Sequence, residues 1–167
     1  MIKFTVVTCT YNAESVLQRT LDSVNKQTYC NIEHLIIDGV SKDKTLAMVR
    51  AYQNRAKAGE NAHEIVVYSE PDKGLYDAMN KGIRMATGEV IGILNSDDFY
   101  TSDDALACIA WVLENEKVDA VYGDIHYVND DDLTKCVRYY SSKPFRRWMM
   151  RLGFMPAHPS FYCRKEV

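Results

Sequence analysis

The sequence predicts an α/β fold, a mostly parallel, Rossmann-like sheet with helices on both faces. Two observations predict it. Runs of β-branched apolar residues alternate along the chain with amphipathic helical patterns, the order expected of successive βαβ units. Four of those runs stop at polar or acidic residues, as strands do where an open parallel sheet meets a ligand.

The elements follow in order. Met1-Ile2-Lys3 leads straight into a first strand over Phe4–Thr8; nothing there resembles a signal peptide. Val16, Leu17, Thr20, Leu21 and Val24 share one helical face. A second strand is expected over Glu33–Ile37, then a helix over Lys44–Arg55 and a polar loop around Gly59-Glu60-Asn61. Ile65–Tyr68 reads as a third strand. Leu75, Ala78, Met79, Gly82, Ile83 and Ala86 follow the i, i+3, i+4, i+7, i+8 pattern of a helix packed on a sheet. Gly88-Glu89 introduces Val90–Leu94, whose continuous apolar character is that of a strand buried on both faces. Leu106, Ile109, Ala110 and Leu113 make a further helix, with Ser102 as its expected N-cap and Asp103 and Asp104 complementing its dipole. Val118–Tyr122 and Ile125–Val128 read as two more strands. No repeat, low-complexity tract or linker interrupts the pattern, so a single domain is expected.

Composition narrows the class. At 167 residues, 47% hydrophobic and 26% charged, the chain is long enough for a substantial core and ordinary for a globular protein. No apolar run approaches the roughly 18 residues of a membrane span. The five cysteines, Cys9, Cys30, Cys108, Cys136 and Cys163, are odd in number and lack metal-ligand spacing, so reduced thiols and a cytoplasmic location are expected. The net charge of −3 is unevenly spread: from Leu133 onward eight basic residues face one acid, Glu166, giving +7, which leaves −10 on residues 1–132. The sequence therefore divides into an acidic α/β region, 1–132, and a basic segment, 133–167, suited either to an anionic partner or to pairing with the acidic body.

The strand ends carry the chemistry. Thr8-Cys9-Thr10-Tyr11-Asn12 with Glu14, Asp38-Gly39-Val40-Ser41-Lys42-Asp43, Ser69-Glu70-Pro71-Asp72-Lys73-Gly74 and Asn95-Ser96-Asp97-Asp98 follow the four runs in turn. Each has a local explanation, Asn12 and Asp43 as helix caps and Gly39 and Gly74 as turn formers. Together at one sheet edge they read as a composite binding site. Adjacent carboxylates at Asp97 and Asp98 repel unless solvated or bridged by a cation. Mn²⁺ or Mg²⁺ suits such hard oxygen ligands and in turn holds phosphate oxygens. The other reading is a turn before Phe99-Tyr100-Thr101-Ser102.

Those four motifs, with Gly74-Leu75-Tyr76-Asp77-Ala78-Met79-Asn80, resemble in order the inverting family 2 glycosyltransferases of the GT-A fold. The Ser69–Gly74 run is most similar to the bacterial exopolysaccharide branch, including colanic-acid-type enzymes. The resemblance implies a nucleotide-diphosphate sugar donor, UDP-sugar favoured, and a saccharide or polyprenyl-linked acceptor. It implies a donor site drawn from Thr8, Thr10, Tyr11, Asn12, Glu14, Asp38, Ser41, Lys73, Asp77, Asn95, Ser96 and Asp97. Tyr11 would offer its ring to the base and Asp38 would accept a base N–H. Asn95-Ser96-Asp97 takes the place of the family's Asp-x-Asp signature, with Asp97 and Asp98 as metal ligands. Asn95 replaces an acid there, keeping a carbonyl acceptor at less charge. Asp77 is equally an acid in a helix's first turn.

Inversion also needs a base for the acceptor hydroxyl. The resemblance places that Asp beyond Val167, so the chain reads as the donor side of a longer enzyme with an incomplete acceptor side. Asp124 is the one candidate within the sequence, with a structural turn as its alternative. His158, between Pro156 and Pro159, reads as a loop or acceptor-site residue. Phe145, Arg146, Arg147, Trp148 and Arg151 suggest peripheral contact with the inner face of the cell membrane, an arginine lid on the diphosphate, or a packing helix. Thr8–Asn12 has no glycine-rich phosphate loop, which counts against a sugar-phosphate nucleotidyltransferase. A non-catalytic nucleotide-binding domain stays open. Nucleic acid is not an expected partner.

Overall fold

The computed structural model describes residues 1–59 and 63–167; the expected polar loop falls, past Gly59, outside them. The sheet is the expected one over its first four strands. Strands β1 (Phe4–Thr10), β2 (Ile32–Asp38), β3 (Glu64–Ser69) and β4 (Val90–Ile93) are parallel; with β5 (Ala120–Val121) and β8 (Tyr162–Arg164) the order across the sheet is β3-β2-β1-β4-β8-β5. Helices α1 (Leu17–Asn25), α2 (Thr45–Ala58), α3 (Leu75–Met85) and α4 (Ala105–Asn115) connect or flank them.

Alternation along β1 explains the layers, since successive side chains point to opposite faces. Val7 and Cys9 pack with Leu35, Ile37, Ala78 and Met79 under α3. Phe4 and Val6 pack on the other face with Val24, Leu106, Ala110 and Leu113, beside a cluster of Leu17, Leu21, Ile36, Val49 and Tyr52. Two glycines set the closest approaches. A Cβ on Gly82 would lie 2.3 Å from Val7 Cγ1, and one on Gly92 would lie 2.0 Å from the ring of Tyr162. Helix α3 and the Tyr162 ring can sit where they do because those side chains are missing.

The rest departs from the expected pattern. Strand β8 (Tyr162–Arg164) comes from the basic segment and inserts antiparallel between β4 and β5 (Ala120–Val121). Only two residues of the expected Val118–Tyr122 strand pair, because β8 offers only Tyr162 and Cys163 as partners there. The expected strand at Ile125–Val128 is β6 (Ile125–Asn129), and it turns back through β7 (Asp132–Tyr140) into a separate two-stranded hairpin. Two 3₁₀ turns follow, Arg147–Leu152 and His158–Ser160. Ser102 is not the cap of α4. That helix starts after Asp104, and its first turn is capped from a distance by Gln27: the Gln27 carbonyl accepts Leu106 N–H at 3.0 Å and its amide donates to Ser102 O at 2.8 Å. The side-chain amide of a residue distant in sequence here replaces the local hydroxyl. All five cysteines are free, and among the described residues no helix is long and apolar enough to cross a membrane.

A polar chain threads the core toward the site. Thr8 Oγ1 donates to Leu94 O at 2.7 Å and lies 2.9 Å from His34 Nε2, while His34 Nδ1 lies 3.0 Å from the Tyr52 hydroxyl. Because the Thr8 proton is spent on Leu94, His34 Nε2–H must donate to Thr8 and Nδ1 must accept from Tyr52. That pattern requires neutral imidazole. Burial, with the His63 ring adding to it, holds His34 down at about 3. The unfolded state therefore binds the extra proton first, and stability is full above the ordinary histidine value and falls with pH below it. Between pH 6.5 and 5, His34 should remove up to about 1.4 kcal/mol per pH unit. Urea unfolding across that window should show a shallower pH slope in His34→Gln, leaving the share of His63, also depressed by burial; an unchanged slope would refute the assignment.

Candidate functional site

The loops after β1 and β2 are latched to each other. Ser41 Oγ accepts Asn12 N–H at 2.8 Å and Asn12 Oδ1 accepts Lys42 N–H at 2.8 Å. Asp43 accepts Glu14 N–H at 3.0 Å, and Glu14 accepts Lys44 N–H at 2.8 Å. The N-cap of α2 is Lys44, not Asp43 as expected, although Asp43, one residue earlier, accepts Thr45 N–H at 3.0 Å; Asn12 binds the neighbouring loop instead of α1. The geometry is tight enough to force left-handed backbone at Asn12 (φ 49°) and at Val40 (φ 66°). For a β-branched residue such a φ costs about 1–2 kcal/mol, which the bonds around it offset.

Asp38, at the end of β2, is fully buried and is the hub of this loop. Its Oδ1 accepts the hydroxyls of Thr10 (3.1 Å) and Ser41 (2.5 Å); its Oδ2 accepts Val40 N–H and Ser41 N–H (3.1 Å each) and the Ser69 hydroxyl (2.6 Å). A carboxylate offers about four lone-pair sites, so five donors leave none free for a ligand. Tyr11 beside it is 64% exposed.

The turn after β4 is held from below. Thr20, on the buried face of α1, points its hydroxyl at Asp98 O (2.7 Å), Ser96 O (2.8 Å) and Asn95 O (3.5 Å). Asn95 Nδ2 lies 2.9 Å from His158 Nε2, and Asn95 Oδ1 is buried with no partner among the described residues. Asp97 is exposed and Asp98 half-buried. Burial pushes the Asp98 carboxyl up, the Asp97 charge adds to it, and the His158 ring works the other way. Among the described residues no three His, Cys, Asp or Glu side chains converge as a metal cage. Two carboxylates nevertheless fit Mg²⁺ or Mn²⁺, which commonly takes one or two from the protein and fills its sphere with water and phosphate.

The loop after β3 is pinned by Lys81, whose Nζ reaches Glu70 at 3.0 Å, Pro71 O at 2.7 Å and Asp77 at 3.7 Å. Asp77 accepts Lys73 N–H at 3.0 Å, and that bond, with Lys81 nearby, holds its carboxyl below the usual range. Asp77 thus serves the helix start. Lys73 is exposed. Between this loop and β1 lies a notch of about 300 Å³ lined by Cys9, Thr10, Tyr11, Asp72, Gly74, Leu75, Ala78 and Ser96.

Asp124 lies across a larger cavity of about 870 Å³ that opens beside Asp97 and Asp98 beneath the β6–β7 hairpin. It accepts the Tyr139 hydroxyl and, at 2.7 Å each, Ser142 N–H and Oγ–H. The Tyr139 bond first, then those from Ser142, hold it at about 2. A base working near neutrality needs a far higher value, so this geometry makes Asp124 the anchor of the hairpin. The hairpin's tip is tied to α1 by Arg19–Asp130 at 2.9 Å.

Residues 5–165 match the family model described as Glycosyl transferase family 2. The chain belongs to glycosyl transferase family 2. Over 123 residues it is 35% identical to a PGL/p-HBAD biosynthesis glycosyltransferase of Mycobacterium tuberculosis, covering 73% of this chain and 46% of the relative. Its fold is similar to that of Staphylococcus aureus TarS solved in complex with UDP, with a TM-score of 0.68 at 26% identity over 77% of this chain and 37% of that one. It is also similar to glucosyl-3-phosphoglycerate synthase from M. tuberculosis, solved with Mn²⁺, UDP and glucosyl-3-phosphoglycerate, with a TM-score of 0.63 at 15% identity over 99% of this chain and 57% of that one. The last likeness is one of fold, and the fold is the GT-A architecture that the motifs implied. The chain spans about half the length or less of its first curated relatives.

For this family 2 chain the sequence motifs named the residues at the strand ends but not the side chains that support them. Thr20 carries only the signal of a core-facing helix residue, and Lys81 that of a surface lysine. Thr20→Val keeps the shape and deletes the one hydroxyl under the turn. It should cost about 1–3 kcal/mol in urea unfolding, with Thr20→Ser recovering most of it; equal stability of the Val variant would show that the hydroxyl is dispensable.

Proposed function

We propose that this chain carries the donor-binding part of a metal-dependent inverting glycosyltransferase. The enzyme takes a sugar from a nucleotide-diphosphate donor, a UDP-sugar, to a hydroxyl of a saccharide or polyprenyl-linked acceptor in cell-surface polysaccharide synthesis. The observation that carries the reading is the Asp97–Asp98 pair, which lines the larger cavity on a turn tethered by Thr20, while Ser96 of the same turn lines the notch. Asp97 and Asp98 would hold Mn²⁺ or Mg²⁺, which would supply positive charge to stabilise the departing nucleoside diphosphate. Tyr11 offers an open ring face to the base. Asn95 presents its unpartnered oxygen to a donor hydroxyl. Lys73 supplies a cation near the phosphates. Thr8, Thr10, Asn12, Glu14, Asp38, Ser41 and Asp77 act through the backbone they hold, and Ser96 lines the notch. Solved neighbours with UDP and with Mn²⁺ support the donor and the metal.

Calorimetry tests it. UDP should bind in the presence of Mn²⁺ and lose at least tenfold, about 1.4 kcal/mol, without the metal or in Asp97→Ala. Indifference to both would remove the metal from the reading. No binding of UDP, GDP or dTDP by the folded chain would remove the nucleotide sugar.

The reading also assigns the enzyme to the cytoplasmic face of the membrane, where a polyprenyl-linked acceptor resides. Trp148 (61%), Leu152 (65%), Phe154 (58%) and Met155 (66%) are exposed beside Arg146, Arg147 and Arg151, the mixture that binds anionic interfaces. Phe145 instead packs edge-on against Tyr122, ring centroids 5.2 Å apart. The chain should sediment with phosphatidylglycerol vesicles at low salt, not with phosphatidylcholine vesicles, and Arg147→Glu with Trp148→Ser should release it. Equal behaviour toward both vesicle types would rule the contact out.

A further inference from the structure

We propose that Asp72, and not Asp38, is the carboxylate that reads the donor's base, and that it selects a base presenting a ring N–H, as uracil does. The inference rests on the donor reading above and deepens it.

Asp38 is excluded by its own bonds: five donors fill its oxygens, and it does not line the notch beside Tyr11. Asp72 does line it, and is the one charged side chain among the residues that do. The Asp72 Oδ1 atom accepts Gly74 N–H at 2.8 Å, which fixes the rotamer. Its other oxygen, Oδ2, engages no donor among the described residues. That free oxygen has a defined place: a Cβ on Gly39 would lie 2.6 Å from Asp72 Oδ2 and 3.3 Å from Tyr11 Cδ2. Gly39 therefore makes the space in which a free acceptor sits next to an aromatic ring. A flat ring laid on Tyr11 would present its edge to Asp72.

The notch is also electrically biased. The Cys9 thiol on its wall is pushed up to about 12, by burial first and by the charge of Asp72 second. A negative, half-buried wall attracts a ring N–H and repels a ring nitrogen lone pair. Uracil offers N3–H at that edge; cytosine offers a bare N3. A purely structural Asp72 would need only Oδ1, since the turn it closes uses one oxygen.

Two measurements on the whole chain test this, each with Mn²⁺. The unaltered chain should bind UDP at least tenfold more tightly than CDP, and at least tenfold more tightly than the diphosphate of 3-methyluridine, which lacks the N–H. Asp72→Asn keeps the acceptor for Gly74 and replaces the free oxygen with an amide NH₂ donor. It should melt like the parent and narrow or invert the UDP-to-CDP ratio by tenfold or more. UDP binding with an unchanged ratio in the variant, or undiminished binding of the methylated nucleotide, overturns the role of Asp72 and leaves the donor reading standing. No binding of any nucleotide by the unaltered chain overturns both.

Discussion

Four parallel strands ending at one edge create a constraint that the rest of the molecule answers. Where the ladder stops, each strand releases backbone N–H and C=O groups that still require partners. Here side chains rooted in neighbouring elements supply many of them. Thr8 reaches across from β1 to Leu94 O, Thr20 rises from α1 to the turn beyond, and Asp38 gathers Val40 N–H and Ser41 N–H. Asn12, Glu14, Ser41 and Asp43 close the gap between the first two loops. Ordering a residue costs about 1–2 kcal/mol in backbone entropy. Loops tied in this way meet that cost on folding, so a ligand does not have to meet it on binding.

The same bonds connect the edge to the core. Thr8 can offer its proton to Leu94 only while His34 donates to Thr8, and His34 is oriented by Tyr52 on α2. The position of the turn after β4 thus depends on a neutral imidazole buried between two layers. An amphipathic pattern registers His34 merely as a polar residue inside an apolar run.

Local pattern sufficed where burial was symmetrical. β1, β2 and β4 are covered on both faces, so they read as mainly apolar runs broken only by buried polar residues such as Thr5, Thr8, Glu33 and His34, and α3 shows a full helical stripe because it lies flat on β1 and β2. It failed where pairing is set at long range. β8 is three residues, Tyr-Cys-Arg, whose identity as a strand comes from slotting between β4 and β5. β7 is exposed along its whole length, so no solvent-facing alternation was imposed on it and its charges dominated the reading. Gln27 displaced Ser102 as a cap for a similar reason, its amide arriving from a turn far away in sequence.

At the strand ends, residue type gave position, and the number of donors each acid already holds separates the structural acids from those left open to a ligand. Asp38 has five and Asp124 three, and acids so satisfied are structural. Asp97 engages no donor among the described residues, and its neighbour Asp98 is pushed toward the protonated form by burial and by Asp97's own charge. The fold relieves every other buried acid at this edge with hydroxyls or backbone N–H groups. Asp98 has only a backbone hydrogen bond from Asn95 and the nearby His158 ring, and Asp97 is left to solvent, so a divalent cation would remove the remaining repulsion of the pair in one step. A cation held by only two carboxylates keeps positive charge and open coordination positions. On the proposed reading a diphosphate would fill both needs, and the Asp97–Asp98 pair, more than any basic residue, would be the source of anion affinity at this edge.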